Sequence, residues 1–140
     1  MKHILTICAL ALALKGNAQA KHPQIFHMPP AAPGADSYAV KQYFFVMLIE
    51  GPKRAEITDK KEIEKLQAGH MANISRLNKE GSLVLAGPFG DDTKWKGIFV
   101  IDADTQEEVE KLLATDPMIK AGRLGYEIHP WWTGMNSVFK

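Results

Sequence analysis

Tyr43-Phe44-Phe45-Val46-Met47-Leu48-Ile49 is an unbroken apolar run rich in aromatic and branched residues, ended by Gly51-Pro52. Such a run predicts a central strand buried on both faces. Beyond a charged connection the period changes. Ile63, Leu66, His70, Ile74 and Leu77 recur at offsets of three and four, which is one face of a helix. Thr58 or Asp59 can cap that helix, with Glu62 placed to face the free amides, and Gly81 suits the position just past its end. Leu83-Val84-Leu85-Ala86 reads as a second strand stopped by Gly87-Pro88, and Phe89 to Lys94 as a hairpin loop. Trp95 to Asp102 is the third strand, with Phe99 and Ile101 on one side and Ile98 and Val100 on the other. Thr105 and Glu108 form a capping box for a second helix whose face is Val109, Leu112 and Leu113. Asp116-Pro117 stops this helix, a turn at Gly122 follows, and Tyr126 to His129 is a last strand closed by Pro130.

Strand, helix, strand, strand, helix, strand is the α+β, ferredoxin-like βαββαβ order: an antiparallel sheet with two helices on one face. Nothing in the chain is left to cover the other face, although the first and third strands are apolar on both sides. A bare apolar face calls for another. The expectation is a homodimer closed face to face into a dimeric α+β barrel.

The ends read differently. Residues 1–20 carry a basic start, an apolar stretch from Ile4 to Leu14 and a small-residue site at Ala18-Gln19-Ala20, the layout of a cleaved signal peptide. The apolar stretch is about half of the ~20 residues needed to span a bilayer. Residues 21–38 hold Pro23, Pro29, Pro30 and Pro33, a composition that predicts a flexible tether. The domain is expected over 39–132, with a tail over 133–140.

Cleavage alters the chemistry available. Lys plus Arg falls from 17 to 15 against 16 acids, and Cys8 is removed. An exported chain (periplasmic or secreted) would then be near neutral, with no basic excess for nucleic acid or membrane. It would have no thiol for a disulfide, a metal or a nucleophile. No serine triad, metal cluster or dinucleotide fingerprint is present either, so the reading is free of metal and cofactor.

Two polar residues stand out. His70 holds a position in the apolar stripe where a leucine would otherwise sit, so it is either a packed structural group or a proton-transfer group. Asp116 precedes a proline at a helix end, where local turn chemistry is the ordinary explanation. Both helices lie on one sheet face, so the two residues can meet. A carboxylate beside an imidazole orients the ring and fixes its tautomer, as a general base requires. The turn after the second strand is either a plain hairpin connection or the rim of a substrate site, supplying Gly87 and Pro88, Phe89 and Trp95 as apolar walls and Asp91 or Asp92 as a polar contact. His22, His27 and Met28 lie in the proline-rich stretch and read as no ligand set. Asn73-Ile74-Ser75 has the glycosylation pattern, but its mid-helix place makes it fortuitous.

Several of these segments together resemble the YciI-like (YCII-related) family. They are Tyr43 to Leu48, His70, Gly81-Ser82-Leu83-Val84-Leu85-Ala86-Gly87-Pro88, Gly97-Ile98-Phe99-Val100-Ile101, Asp116-Pro117-Met118-Ile119-Lys120-Ala121-Gly122 and Pro130-Trp131. The resemblance implies dimeric α+β barrels and makes His70 and Asp116 the family's His and Asp, proposed as an acid–base pair. One branch resembles a dehydrochlorinase of hydroxylated chloroaromatics, which implies proton abstraction and elimination as a reaction class. The leader, the tether and Gln67-Ala68-Gly69, where some members carry an arginine, set this chain apart. The leading expectation is a cofactor-free acid–base enzyme acting on a small aromatic or carbonyl substrate. The alternative is a non-catalytic dimeric module that binds a small ligand.

Overall fold

The apolar run 43–49 forms the middle of the longest strand of the computed structural model, which describes residues 25–28 and 38–134. In chain order the elements are β1 (Ile25–Met28), β2 (Tyr38–Glu50), α1 (Lys60–Lys79), β3 (Leu83–Pro88) and β4 (Trp95–Ile101). They continue with α2 (Gln106–Leu113), α3 (Pro117–Lys120) and β5 (Leu124–Gly134). β2 pairs antiparallel with β5 from Val40↔Gly134 to Glu50↔Leu124, and with β4 from Phe44↔Ile101 to Ile49↔Trp95. β3 pairs antiparallel with β4. The sheet therefore reads β5-β2-β4-β3, the ferredoxin-like arrangement that the element order predicts.

Alternation along β2 sorts the two faces. Phe44, Val46 and Leu48 are buried with Phe99 and Ile101 of β4 against Leu77, Val109, Leu113 and Met118 from the helices. Tyr43, Phe45, Met47 and Ile49 point the other way and are half-buried. In register with them stand Trp131, Val100 and Ile98, and Trp131 meets Phe45 edge-on at 6.1 Å between ring centroids. Among the described residues no helix packs on this second face.

The helix signals act as the sequence predicts. Asp59 caps α1 by accepting from the Glu62 N–H at 2.8 Å, and Thr105 caps α2 by accepting from the Glu108 N–H at 3.2 Å. Gly81 takes φ +82° just past the end of α1, a conformation that glycine adopts without steric penalty.

Three boundaries differ from expectation. Ile25–Met28 lies inside the stretch read as a tether, yet it pairs antiparallel with the start of β2. The five residues between Pro23 and Pro29 leave room for a strand of four. Pro130 lies within β5, which continues to Gly134. Among the described residues that strand pairs only with β2, and a missing N–H is harmless on an open edge. Asp116-Pro117 does more than stop α2: Asp116 is the cap of a new turn of helix, α3, with Pro117 at its first position. The expected leader (1–20) and all but two residues of the expected tail (133–140) lie outside the described residues.

Candidate functional site

α1 buries two polar side chains among its apolar contacts, His70 and Asn73. They are three residues apart, so they share a face one turn from each other. His70 occupies the stripe position the periodicity assigns to it and is 8% exposed. Its ring lies nearly parallel to Phe99 (centroids 5.9 Å apart, 18° between planes), so β4 forms the floor beneath it.

Asp116 arrives from the other crossover and is wholly buried. Its two oxygens divide the work. Oδ1 accepts from the Met118 N–H at 2.8 Å and the Ile119 N–H at 3.4 Å, which caps α3. Oδ2 lies 2.7 Å from His70 Nδ1 and also accepts from Asn73 Nδ2 at 3.4 Å. Burial alone would raise the Asp116 pKa. The hydrogen bond and charge of His70, with the two backbone N–H groups, outweigh it and hold the carboxyl below the ordinary aspartate value. An ionised Asp116 accepts, so Nδ1 carries the proton and the lone pair of the neutral ring lies on Nε2. Nε2 has no hydrogen bond to the described residues and is not among the fully buried unpartnered atoms. It is the ring atom left for a ligand.

A glycine sets this spacing. A Cβ on Gly69 would stand 2.9 Å from Pro117 Cγ, closer than carbon atoms pack. The residue before His70 thus lets α1 close onto the residue after Asp116.

His70 forms part of the wall of a cavity of about 380 Å³. Its apolar lining comes from Leu48, Ile63, Ile74, Phe99, Met118 and Leu124. Gly87 and Pro88 line it as the sequence predicts, but Phe89 and Trp95 do not. They are 40% and 45% exposed. Phe89 has already turned into the loop, its N–H bonded to the Lys96 carbonyl. Trp95 pairs with Ile49 beyond a register shift in β2 and so leaves the alternation that Gly97 and Phe99 follow. Beside His70, the charged lining residues are Arg54, Lys96 and Arg123.

Asn73 and Arg123 escape the sequence reading. Asn73 is buried, and its Oδ1 accepts from Arg76 Nη2 (2.8 Å) and Thr115 Oγ1 (2.9 Å). Its place three residues after His70 on the inward face is the signal that identifies it. Burial also settles the glycosylation pattern as fortuitous. Arg123 follows a glycine in a short connection, where no periodicity marks it.

Comparison with known proteins meets this geometry. The YCII-related domain matches residues 43–132, a span that contains His70, Asp116 and every residue lining the cavity. The uncharacterised protein YjpA of Bacillus subtilis (strain 168) is 38% identical over 64 residues, which are 46% of this chain and 73% of that protein. A solved structure, 5-chloro-2-hydroxyhydroquinone dehydrochlorinase from Burkholderia phenoliruptrix AC1100 in complex with 2,5-dihydroxybenzoquinone, superposes with a TM-score of 0.48. It is 21% identical and covers 64% of this chain and 92% of its own. With the domain match running from the central strand through both partners of the buried pair to Trp132, the chain belongs to the YCII-related domain family.

Proposed function

We propose that this protein is an exported enzyme, needing no cofactor, that performs general acid–base chemistry on a small aromatic or carbonyl compound. The observation that carries the proposal is the 2.7 Å contact between His70 Nδ1 and a wholly buried Asp116, on a ring whose other nitrogen is unengaged at a cavity wall. Neutral His70 takes a proton from the substrate at Nε2, and the imidazolium so formed is held by the Asp116 carboxylate. The ring returns the proton to the product or to a leaving group. Positioned acid–base groups of this kind contribute about 10²–10⁴-fold to rate. The apolar lining suits a ring or short carbon skeleton, and about 380 Å³ lies within the range of small-ligand pockets.

The test is a screen of small ring and carbonyl compounds with the full chain in D₂O, read by NMR as solvent-deuterium incorporation or loss of a substituent. Activity present in the native protein and reduced at least about 100-fold in His70→Gln supports the proposal. Turnover that survives His70→Gln refutes it.

One observation favours a second reading, a dimeric module that binds its ligand without converting it: Asp116 already has a structural task as the cap of α3. In that case His70→Gln alters ligand affinity or stability and there is no turnover to lose. We also propose that two copies cover each other's open sheet faces, because Phe45, Met47, Ile98 and Trp131 form an apolar surface no described helix covers.

A further inference from the structure

We infer that the cavity takes a small organic carboxylate, held by Arg123, and that His70 acts on the body of the same molecule. This rests on the acid–base reading above and names its substrate class. The cavity wall carries Arg54, Lys96, Arg123 and His70, and among the described residues no carboxylate belongs to it. Two of these cations are answered from behind the wall. Glu50 Oε1 lies 3.4 Å from Arg54 Nε and 2.9 Å from Lys96 Nζ, and Asp92 Oδ1 lies 3.8 Å from Lys96 Nζ.

Arg123 is different. Nη1 donates to the backbone carbonyls of Arg54 (3.1 Å) and Ile57 (2.6 Å), so its position is fixed without neutralising its charge. No carboxylate among the described residues forms an ion pair with it. Nε is buried and has no acceptor, and Nη2 donates to no described residue. Nε–H and Nη2–H lie along one edge of the guanidinium, the edge that receives a carboxylate side-on through two parallel hydrogen bonds. A buried donor left without an acceptor costs about 1–3 kcal/mol. A carboxylate bound at this edge supplies the missing charge, and, as the guanidinium shifts to meet it, the acceptor that the buried Nε lacks. One unanswered cation matches a monoanion, and the apolar lining accommodates the rest of it.

The placement orders the reaction. Arg123 follows α3 and Asp116 precedes it, with the Arg123 N–H bonded to the Met118 carbonyl at 3.0 Å. The short segment from Asp116 to Arg123, with α3 inside it, therefore joins the partner of His70 to the anchor. With its carboxylate on Arg123, a ligand turns its ring or chain toward Nε2. A C–H or O–H there gives its proton to Nε2 and keeps the electron pair.

The experiment compares benzoate with benzamide, its uncharged isostere, by NMR titration of the full chain with histidine side chains labelled. The expected result is benzoate binding at least about tenfold tighter than benzamide, with the ratio falling to near one in Arg123→Gln and partly restored in Arg123→Lys. Equal binding of the two probes by the native protein overturns the inference, as does an undiminished preference in a folded Arg123→Gln. Since Arg123 also holds two loop carbonyls, the native comparison decides by itself if the variants fail to fold. The His70 ring signals separate this inference from the reading beneath it. A benzoate preference that depends on Arg123 but leaves His70 Nε2 unperturbed keeps the carboxylate site and removes the acid–base role. Equal binding of both probes with His70 Nε2 perturbed does the reverse.

Discussion

Replacing Gly69 with alanine should damage the site more than the fold. Within a helix, alanine is favoured over glycine by about 1 kcal/mol, so on an open helix face the change would stabilise. Here the new methyl lies 2.9 Å from Pro117 Cγ, at least about 0.6 Å inside ordinary carbon contact. The proline ring has little room to yield, since Pro117 begins a helix whose cap is buried. Overpacking of this order costs about 1–3 kcal/mol, so the net change is a loss of about 0–2 kcal/mol. The relief available is to move α1 from α3 by roughly half an ångström. That stretches the 2.7 Å His70–Asp116 contact toward or past the length at which it is a good hydrogen bond. Chemical denaturation gives the stability, and ¹⁵N shifts of the His70 ring report the tautomer. The expected pattern is a midpoint unchanged or lowered, with an imidazole no longer locked as the Nδ1–H form. A Gly69→Ala protein about 1 kcal/mol more stable, with His70 signals unchanged, would refute the argument that this glycine sets the spacing.

Asp116→Ala removes a helix cap worth about 1 kcal/mol and strands a buried imidazole donor at about 1–3 kcal/mol, so denaturation should show a loss of about 2–4 kcal/mol. Asp116→Asn keeps a capping oxygen and should lose less, while unlocking the ring. The folded Asp116 pKa is lowered, so the unfolded chain binds its proton more readily. Its contribution to stability is complete above the ordinary aspartate value of about 3.9 and fades as pH falls through the lower folded value. Acid unfolding of Asp116→Asn should accordingly be flatter below about pH 4 than that of the native protein. Phe45→Lys together with Trp131→Glu, on the open sheet face, should leave circular dichroism intact but convert a dimer to monomer in sedimentation. A native protein that is monomeric at high concentration would remove the face-to-face dimer.

Much of this was legible because it is periodic. The stripe Ile63, Leu66, His70, Ile74, Leu77 and the alternation of β2 and β4 each repeat often enough to declare an element and its inward face. The cap at Thr105 was equally plain, and that of α1 was narrowed to Thr58 or Asp59, since a cap depends on a few neighbours alone. α3 was not, because four residues complete barely one turn. The same Asp-Pro that ends one helix can begin another, and tertiary packing chooses. Phe89 and Trp95 fall away from the cavity for separate reasons that no residue pattern announces: Phe89 lies in the loop just past β3, and a register shift between β2 and β4 changes the face that Trp95 takes. Asn73 drew notice only for a glycosylation pattern set aside as fortuitous, although its spacing from His70 placed it inward. Arg123 became visible only as a donor without an acceptor, a property of three-dimensional neighbours.

The brevity of α3 has a consequence for how activity would be lost. Asp116 caps its single turn and Arg123 follows shortly after, yet of its own four residues only Met118 is buried in the core. Segments with so few buried contacts open at a fraction of the free energy of global unfolding. Gentle heating or mild denaturant would therefore release the proton relay and the anion anchor together while the sheet still reports a native protein. Function should vanish before structure does, and an occupant of the cavity, by bracing that turn, should slow amide exchange there first.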